Sequence, residues 1–202
     1  MLVGRDTTKF TGDPIVANVT SQNYWTIYID GASVNRANIN SLTGGTAIVD
    51  TGNPGIGCNL SCAEAINTRI PLARLIPSSD NISATYAYPC NTSVEHIPAI
   101  DIAGQGLQID PLDFNAGPVD NSQMDGRLPD GIVFCKSQIT GASDQKWAIG
   151  LPFMHSWYTS ARQIIPFVHQ STCASQRIID ETVLLSAAEI SLGPCSELVH
   201  TI

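Results

Sequence analysis

The sequence predicts an all-β domain with one or two short helices, and three observations carry that expectation. Its apolar segments are short and β-branched, the stretches between them are dense in Gly, Pro, Asn and Asp, and a single body segment looks helical. At 202 residues the chain can bury one sizeable core, so one domain is the expected organisation.

Taken in order, the first strand signal is Tyr24-Trp25-Thr26-Ile27-Tyr28-Ile29-Asp30, which stops at Gly31. The second, Gly45-Thr46-Ala47-Ile48-Val49-Asp50, runs straight into Thr51-Gly52. Further strands are expected over residues 84–88, 100–102, 131–135, 147–149 and 164–168. Turn clusters occupy residues 115–118 and 125–131. The one helix candidate is 62–70, with Ser61 as its N-cap before Glu64. No internal repeat or low-complexity run interrupts this pattern.

Composition excludes several function classes. Hydrophobic residues make up 43% and charged residues 14% of the chain, and no apolar run reaches the ~18–20 residues of a membrane span. That argues against disorder and against a transmembrane helix. The opening residues lack a signal-peptide pattern, so any secretory signal is expected upstream. Net charge is −8 without a basic cluster, which argues against nucleic-acid binding. Asn-x-Ser/Thr acceptor motifs at Asn18, Asn59, Asn81 and Asn91 fit a secreted glycoprotein. The six cysteines, at 58, 62, 90, 135, 173 and 195, read as three disulfides with fifteen possible connectivities. Cys58 and Cys62 could form half a zinc site, but no second closely spaced pair completes it, so neither metal nor cofactor is expected.

The chemical inventory lacks GxSxG, HExxH, GxxxxGK[ST] and GxGxxG, which removes the first requirement of several enzyme classes. His96, His155, His169 and His200 are scattered without ligand spacing and read as surface or locally bonded residues. What remains is Asp50-Thr51-Gly52, an aspartate delivered by an apolar strand into a turn whose glycine lets backbone approach. Alone, this tripeptide is ordinary turn chemistry.

Its context resembles the pepsin-like aspartic proteases, fungal secreted enzymes included. Residues 4–12 followed by Tyr24-Trp25-Thr26-Ile27 resemble the segment linking the two lobes and the first strand of the C-terminal lobe. Ala47-Ile48-Val49-Asp50-Thr51-Gly52 is similar to the second catalytic loop, and Tyr88-Pro89-Cys90 through Phe134-Cys135 to the lobe's cysteine pair. Trp147 through Met154, followed by Trp157-Tyr158-Thr159, resembles the late hydrophobic-hydrophobic-Gly strand. The matches follow the family's order over residues 4–168.

The resemblance implies a pepsin-like lobe, a β-barrel or sandwich with a psi loop, over residues 1–168, and a tail of unknown role over 169–202. It implies Asp50 as a catalytic carboxylate, Thr51 as a lock between two loops and Gly52 as the close backbone approach. Asn53, Ile149 and Gly150 would support the site, with Ile149-Gly150 passing beneath the loop. It further implies a Cys90–Cys135 disulfide, leaving Cys58–Cys62 and Cys173–Cys195 as pairs by nearness. Such proteases need two aspartates sharing a proton, one a general base on water and the other a donor to the scissile carbonyl. This chain has one Asp-Thr-Gly, so the N-terminal lobe, or a second copy, is the expected partner, with a peptide or protein as substrate. A chain active alone would need another acid, Asp30 or Asp110 for instance. The alternative is a non-catalytic secreted binding or inhibitor module on the same scaffold. Localisation is expected to be extracellular or vacuolar. Three positions depart from the family pattern: Asn53 replaces a hydroxyl residue that bonds the outer oxygen of the aspartate, Pro54 follows it, and Leu151 replaces a common Asp.

Overall fold

The computed structural model describes residues 10–21, 24–42, 44–79, 82–124, 126, 128–129, 131–163 and 188–194, with the backbone path alone for 160–163 and 188–194. In chain order the elements begin with β1 (Ile15–Ser21), β2 (Thr26–Ile29), β3 (Gly31–Val34), β4 (Ala37–Asn38), β5 (Gly45–Val49), β6 (Ile56–Asn59) and α1 (Leu60–Asn67). Next come β7 (Arg74–Leu75), β8 (Ser83–Ala84), β9 (Tyr86–Pro89), β10 (Ala99–Ile102), β11 (Gln105–Gln108) and the one-turn α2 (Pro111–Phe114). The chain continues with β12 (Asn115–Val119), β13 (Phe134–Ser137), β14 (Ile139–Ala142), β15 (Trp147–Ile149), α3 (Leu151–Ser156), β16 (Trp157–Gln163) and β17 (Ala188–Pro194).

Three sheets result. The largest has nine strands in the order β16-β17-β1-β2-β5-β15-β6-β14-β8; the other two run β11-β10-β3-β4 and β12-β13-β9-β7. The all-β class therefore stands. β17 lies in the segment 169–202, which the sequence set apart as a tail, yet it pairs with both β1 and β16. Within the large sheet, β15 sits between β5 and β6, two strands consecutive in sequence and joined by the turn that starts at Asp50. It runs parallel to β5 and antiparallel to β6, the arrangement of a psi loop.

The principal core is continuous beneath these sheets. Ile27, Ile29, Ala47, Ile56, Ile66, Ile100, Phe114, Ile139, Ile149 and Phe153 are all at most 1% exposed. A smaller cluster of Ala87, Val119, Met124 and Phe134 fills the space under the third sheet. No helix among the described residues is long and apolar enough to cross a membrane.

Several local expectations shift for identifiable reasons. The helix is Leu60–Asn67 rather than 62–70, because Asn59, not Ser61, caps it: the Asn59 side chain accepts from the Cys62 amide at 2.8 Å. It ends at Asn67, and residues 68–70 close a turn ahead of Pro71, whose ring disfavours helical backbone at the residue before it. The run 84–88 splits at Thr85, so that β8 pairs with β14 in the large sheet while β9 joins β13 in another. The run 131–135 becomes strand only at Phe134, since Gly131 turns at φ +78°. Strand β1 was not anticipated although its burial alternates Ile15 in, Val16 out, Ala17 in, Asn18 out. Residues 164–168, Asn81, His169, His200, Cys173 and Cys195 lie outside the described residues.

Two disulfides are formed among the described residues: Cys58–Cys62, with Cα atoms 6.0 Å apart, and Cys90–Cys135, with Cα atoms 5.0 Å apart. Cys135 lies opposite Tyr88 in the β9–β13 ladder, which brings Cys90 within reach. The two bridges close loops of very different size, with sequence separations of 4 and 45. On loop-closure grounds, replacing Cys90 and Cys135 by Ser is expected to cost about 4 kcal/mol, against about 2 kcal/mol for the same change at Cys58 and Cys62. Denaturant unfolding of the two double variants checks that ordering.

Candidate active site

The turn after β5 is built by the strands on either side of it. Ala47 is fully buried, and β5 is flanked by β2 through Thr26↔Ile48 and Ile27↔Ala47, and by β15 through Trp147↔Ala47 and Ile149↔Val49. The ladder continues one step past the strand, as the Asp50 amide donates to the Ile149 carbonyl at 2.9 Å. The chain then turns sharply. The Asn53 amide donates to the Asp50 carbonyl at 3.2 Å, and the Gly52 amide to Asp50 Oδ1 at 2.8 Å. Asp50, Thr51 and Gly52 are exposed. A carboxylate is thus presented to solvent on a rigid stem, with one oxygen already held by a backbone donor.

Beneath the turn, backbone fits against backbone. A Cβ at Gly150 would overlap the carbonyl oxygens of Asn53 and Gly55, so only glycine allows β15 to pass at this depth. The Leu151 amide donates to the Asn53 carbonyl at 2.9 Å, closing the contact from the far side. At Gly52 the constraint is milder: a Cβ there would stand 3.2 Å from Asp50 Oδ1. The sequence placed Asp50, Thr51, Gly52, Asn53, Ile149 and Gly150 in one neighbourhood, and the fold brings all six together although about a hundred positions separate the two segments.

Asn53 takes its own course. Its side-chain Nδ2 donates to the Ala148 carbonyl at 3.2 Å and its Oδ1 accepts from the Gly55 amide at 3.2 Å. The amide therefore staples the turn to β15 instead of reaching the outer oxygen of Asp50. The partner carbonyl of Ala148 had no signal in the sequence, because any residue type could supply it. Thr51 has no hydrogen-bond partner among the described residues.

Among the described residues no second acid bonds to Asp50. Asp30 stands at the opposite end of the β2–β5 ladder, where its Oδ2 accepts from the Gly104 amide at 2.7 Å. Asp110 is the N-cap of α2 and accepts from Leu112. Among the described residues no three His, Cys, Asp or Glu side chains are grouped to hold a metal. His96 is bonded locally to Ser93, and His155 lies 3.4 Å from Asp113. The Cys90–Cys135 bridge belongs to the third sheet.

Comparison with known proteins places this geometry. The family model described as eukaryotic aspartyl protease matches residues 1–161. The chain belongs to that family. It is 28% identical over 160 residues to an aspartic protease of Phaffia rhodozyma, a stretch covering 78% of this chain and 36% of the relative. It is 29% identical over 158 residues to the aspartic-type endopeptidase ctsD of Aspergillus fumigatus, covering 76% of this chain and 29% of the relative. A probable aspartic-type endopeptidase CTSD of Arthroderma benhamiae is 28% identical over 155 residues, or 76% and 27%. The match spans about a third of each relative's length.

In this member of the eukaryotic aspartyl protease family, Gly150 leaves no room for a side chain beneath the Asp50 turn. Gly150→Ala is expected to cost about 1–3 kcal/mol by forcing the Asp50 turn off β15. Thermal unfolding checks the magnitude, and faster amide exchange at Gly52 and Leu151 checks that the turn is what moves.

Proposed function

We propose that this chain supplies the C-terminal half of an aspartic endopeptidase site, with Asp50 as one of two carboxylates that activate a water for peptide-bond hydrolysis. The observation that carries the reading is the Asp50 turn clamped over Ile149-Gly150, in a chain of the aspartyl protease family. Peptide hydrolysis by this route needs a base and an acid at once. Two adjacent carboxyl groups share one proton, since like charges so close do not both ionise; the ionised one accepts a proton from water while the other donates to the scissile carbonyl oxygen. Asp50 alone fills one role.

The second carboxylate therefore comes from a lobe outside this sequence. Residues 1–168, together with β17 of the 169–202 segment, act as the C-terminal lobe, and the exposed Thr51 hydroxyl is free to bond the opposing loop. The substrate is a peptide or protein. Secretion or vacuolar delivery is supported by two disulfides and by exposed acceptor asparagines at positions 18, 59 and 91.

The test is complementation at acid pH. The 202-residue chain is assayed alone and together with an N-terminal lobe carrying its own Asp-Thr/Ser-Gly. Activity is expected only in the combined sample, and Asp50→Asn is expected to lower it roughly a thousandfold or more. Activity from the chain as a monomer overturns the half-site. Activity in a sedimenting dimer assigns the second aspartate to another copy. A combined sample that neither cleaves peptides nor binds a transition-state mimic leaves a binding module.

A further inference from the structure

A pair of carboxylates lies far from Asp50. Gly45, the first residue of β5, and Asp50, just past its end, stand roughly 17 Å apart at ~3.4 Å per residue, and Asp30 follows Ile29, the partner of Gly45. At that end the hairpins β3–β4 and β10–β11 enclose a cavity of about 640 Å³, within the size range of small-ligand sites. Both hairpins turn through consecutive left-handed residues, Asn35-Arg36 and Ala103-Gly104.

The lining divides by chemistry. Ala32, Ile39, Ile97 and Ala99 are buried and offer an apolar wall. Asp30, Asp101 and Glu95 offer negative charge, Glu95 accepting from the Ser93 hydroxyl at 2.8 Å. Ser33, only 5% exposed, donates its hydroxyl to Asp101 Oδ1 at 2.7 Å, and Gly104 holds Asp30 Oδ2. Each carboxylate is thereby fixed through one oxygen, and neither Asp30 Oδ1 nor Asp101 Oδ2 accepts a hydrogen bond among the described residues. Burial and, after it, the neighbouring Asp30 charge push the Asp101 carboxyl up, although the Ser33 hydroxyl opposes this. The one cationic side chain on the lining, Arg36, forms no ion pair among the described residues. Two fixed carboxylates beside an apolar wall match a cation on an aliphatic stem; too few ligating side chains are grouped here for a bare metal ion.

We propose that this cavity binds a primary ammonium or guanidinium group on an aliphatic stem, seated between Asp30 and Asp101. The site lies outside the Asp50 turn and does not depend on the chain being half of a protease. The same cation chemistry is offered by a free diamine such as agmatine and by a lysine or arginine side chain of a polypeptide.

Calorimetric titration of the 202-residue chain at neutral pH tests it with three probes: agmatine, acetyl-Ala-Lys-Ala-amide, and the same peptide with norleucine for lysine. The lysine peptide, agmatine or both should bind saturably, with the norleucine peptide at least about tenfold weaker than the lysine peptide. Agmatine binding as well as the lysine peptide assigns the site to free amines; a lysine-peptide preference assigns it to a basic side chain. Asp30→Asn with Asp101→Asn should weaken the best probe about tenfold or more without lowering the melting temperature, since a repelling pair is removed. Gly106→Ala is a second variant that keeps both charges, because a Cβ there would sit 3.2 Å from Asp101 Oδ1 and 3.4 Å from Ser33 Oγ and displace the carboxyl. It too should weaken binding. Equal affinity for the lysine and norleucine peptides, undiminished affinity in both variants, or no binding up to ~10 mM of any probe overturns the proposal.

Discussion

The psi-loop insertion of β15 between β5 and β6 governs the remainder of the structure. Two strands consecutive in sequence would ordinarily pair with each other through a short turn. Here the space between them is filled by residues 147–149, so the turn from Asp50 to Gly55 spans a foreign strand and must satisfy its polar groups against it. The Asp50 amide, the Asn53 carbonyl and the Asn53 side-chain amide all do so, through Ile149, Leu151 and Ala148. A buried backbone crossing of this kind is costly wherever a donor or acceptor is left unpaired.

For the proposed half-site, what matters at the turn is its attachment to the strand beneath it. Asp50 is exposed, but the backbone on both sides of it is tied to β15, and one of its oxygens is tied to Gly52. A side chain held in this way can meet a partner carboxylate without paying much additional ordering entropy. The unusual Asn53 serves the same end by another bond, with its amide spent on the turn's attachment and none of it on the aspartate.

The same sheet places a second polar device at its other end. β2 and β5 run side by side from the Asp50 turn to Asp30, where the main sheet hands the chain over to the small sheet. That handover occurs at Gly31, where a Cβ would collide with the Leu42 carbonyl, and it folds β3 against β10 to make one wall of the acidic cavity. One strand pair thus carries two carboxylate positions that have no contact with each other.

The sequence by itself determined the all-β class, strands within residues 24–30, 45–50, 100–102 and 147–149, and the suspect status of Asp50-Thr51-Gly52, because those features are local: β-branched runs, turn residues and one short motif. The family's order of motifs further joined Gly52 to Gly150. What local signals did not single out were strand β1 and the switch of sheets at Thr85, each chosen by a partner distant in the chain, and the helix cap at Asn59, which competes with Ser61 only two residues on. The tertiary structure also decided that Asn53 bonds Ala148 and that the Asp30 amide bonds the Asp101 carbonyl, since a carbonyl becomes a partner only when packing of the whole sheet brings it within about 3 Å.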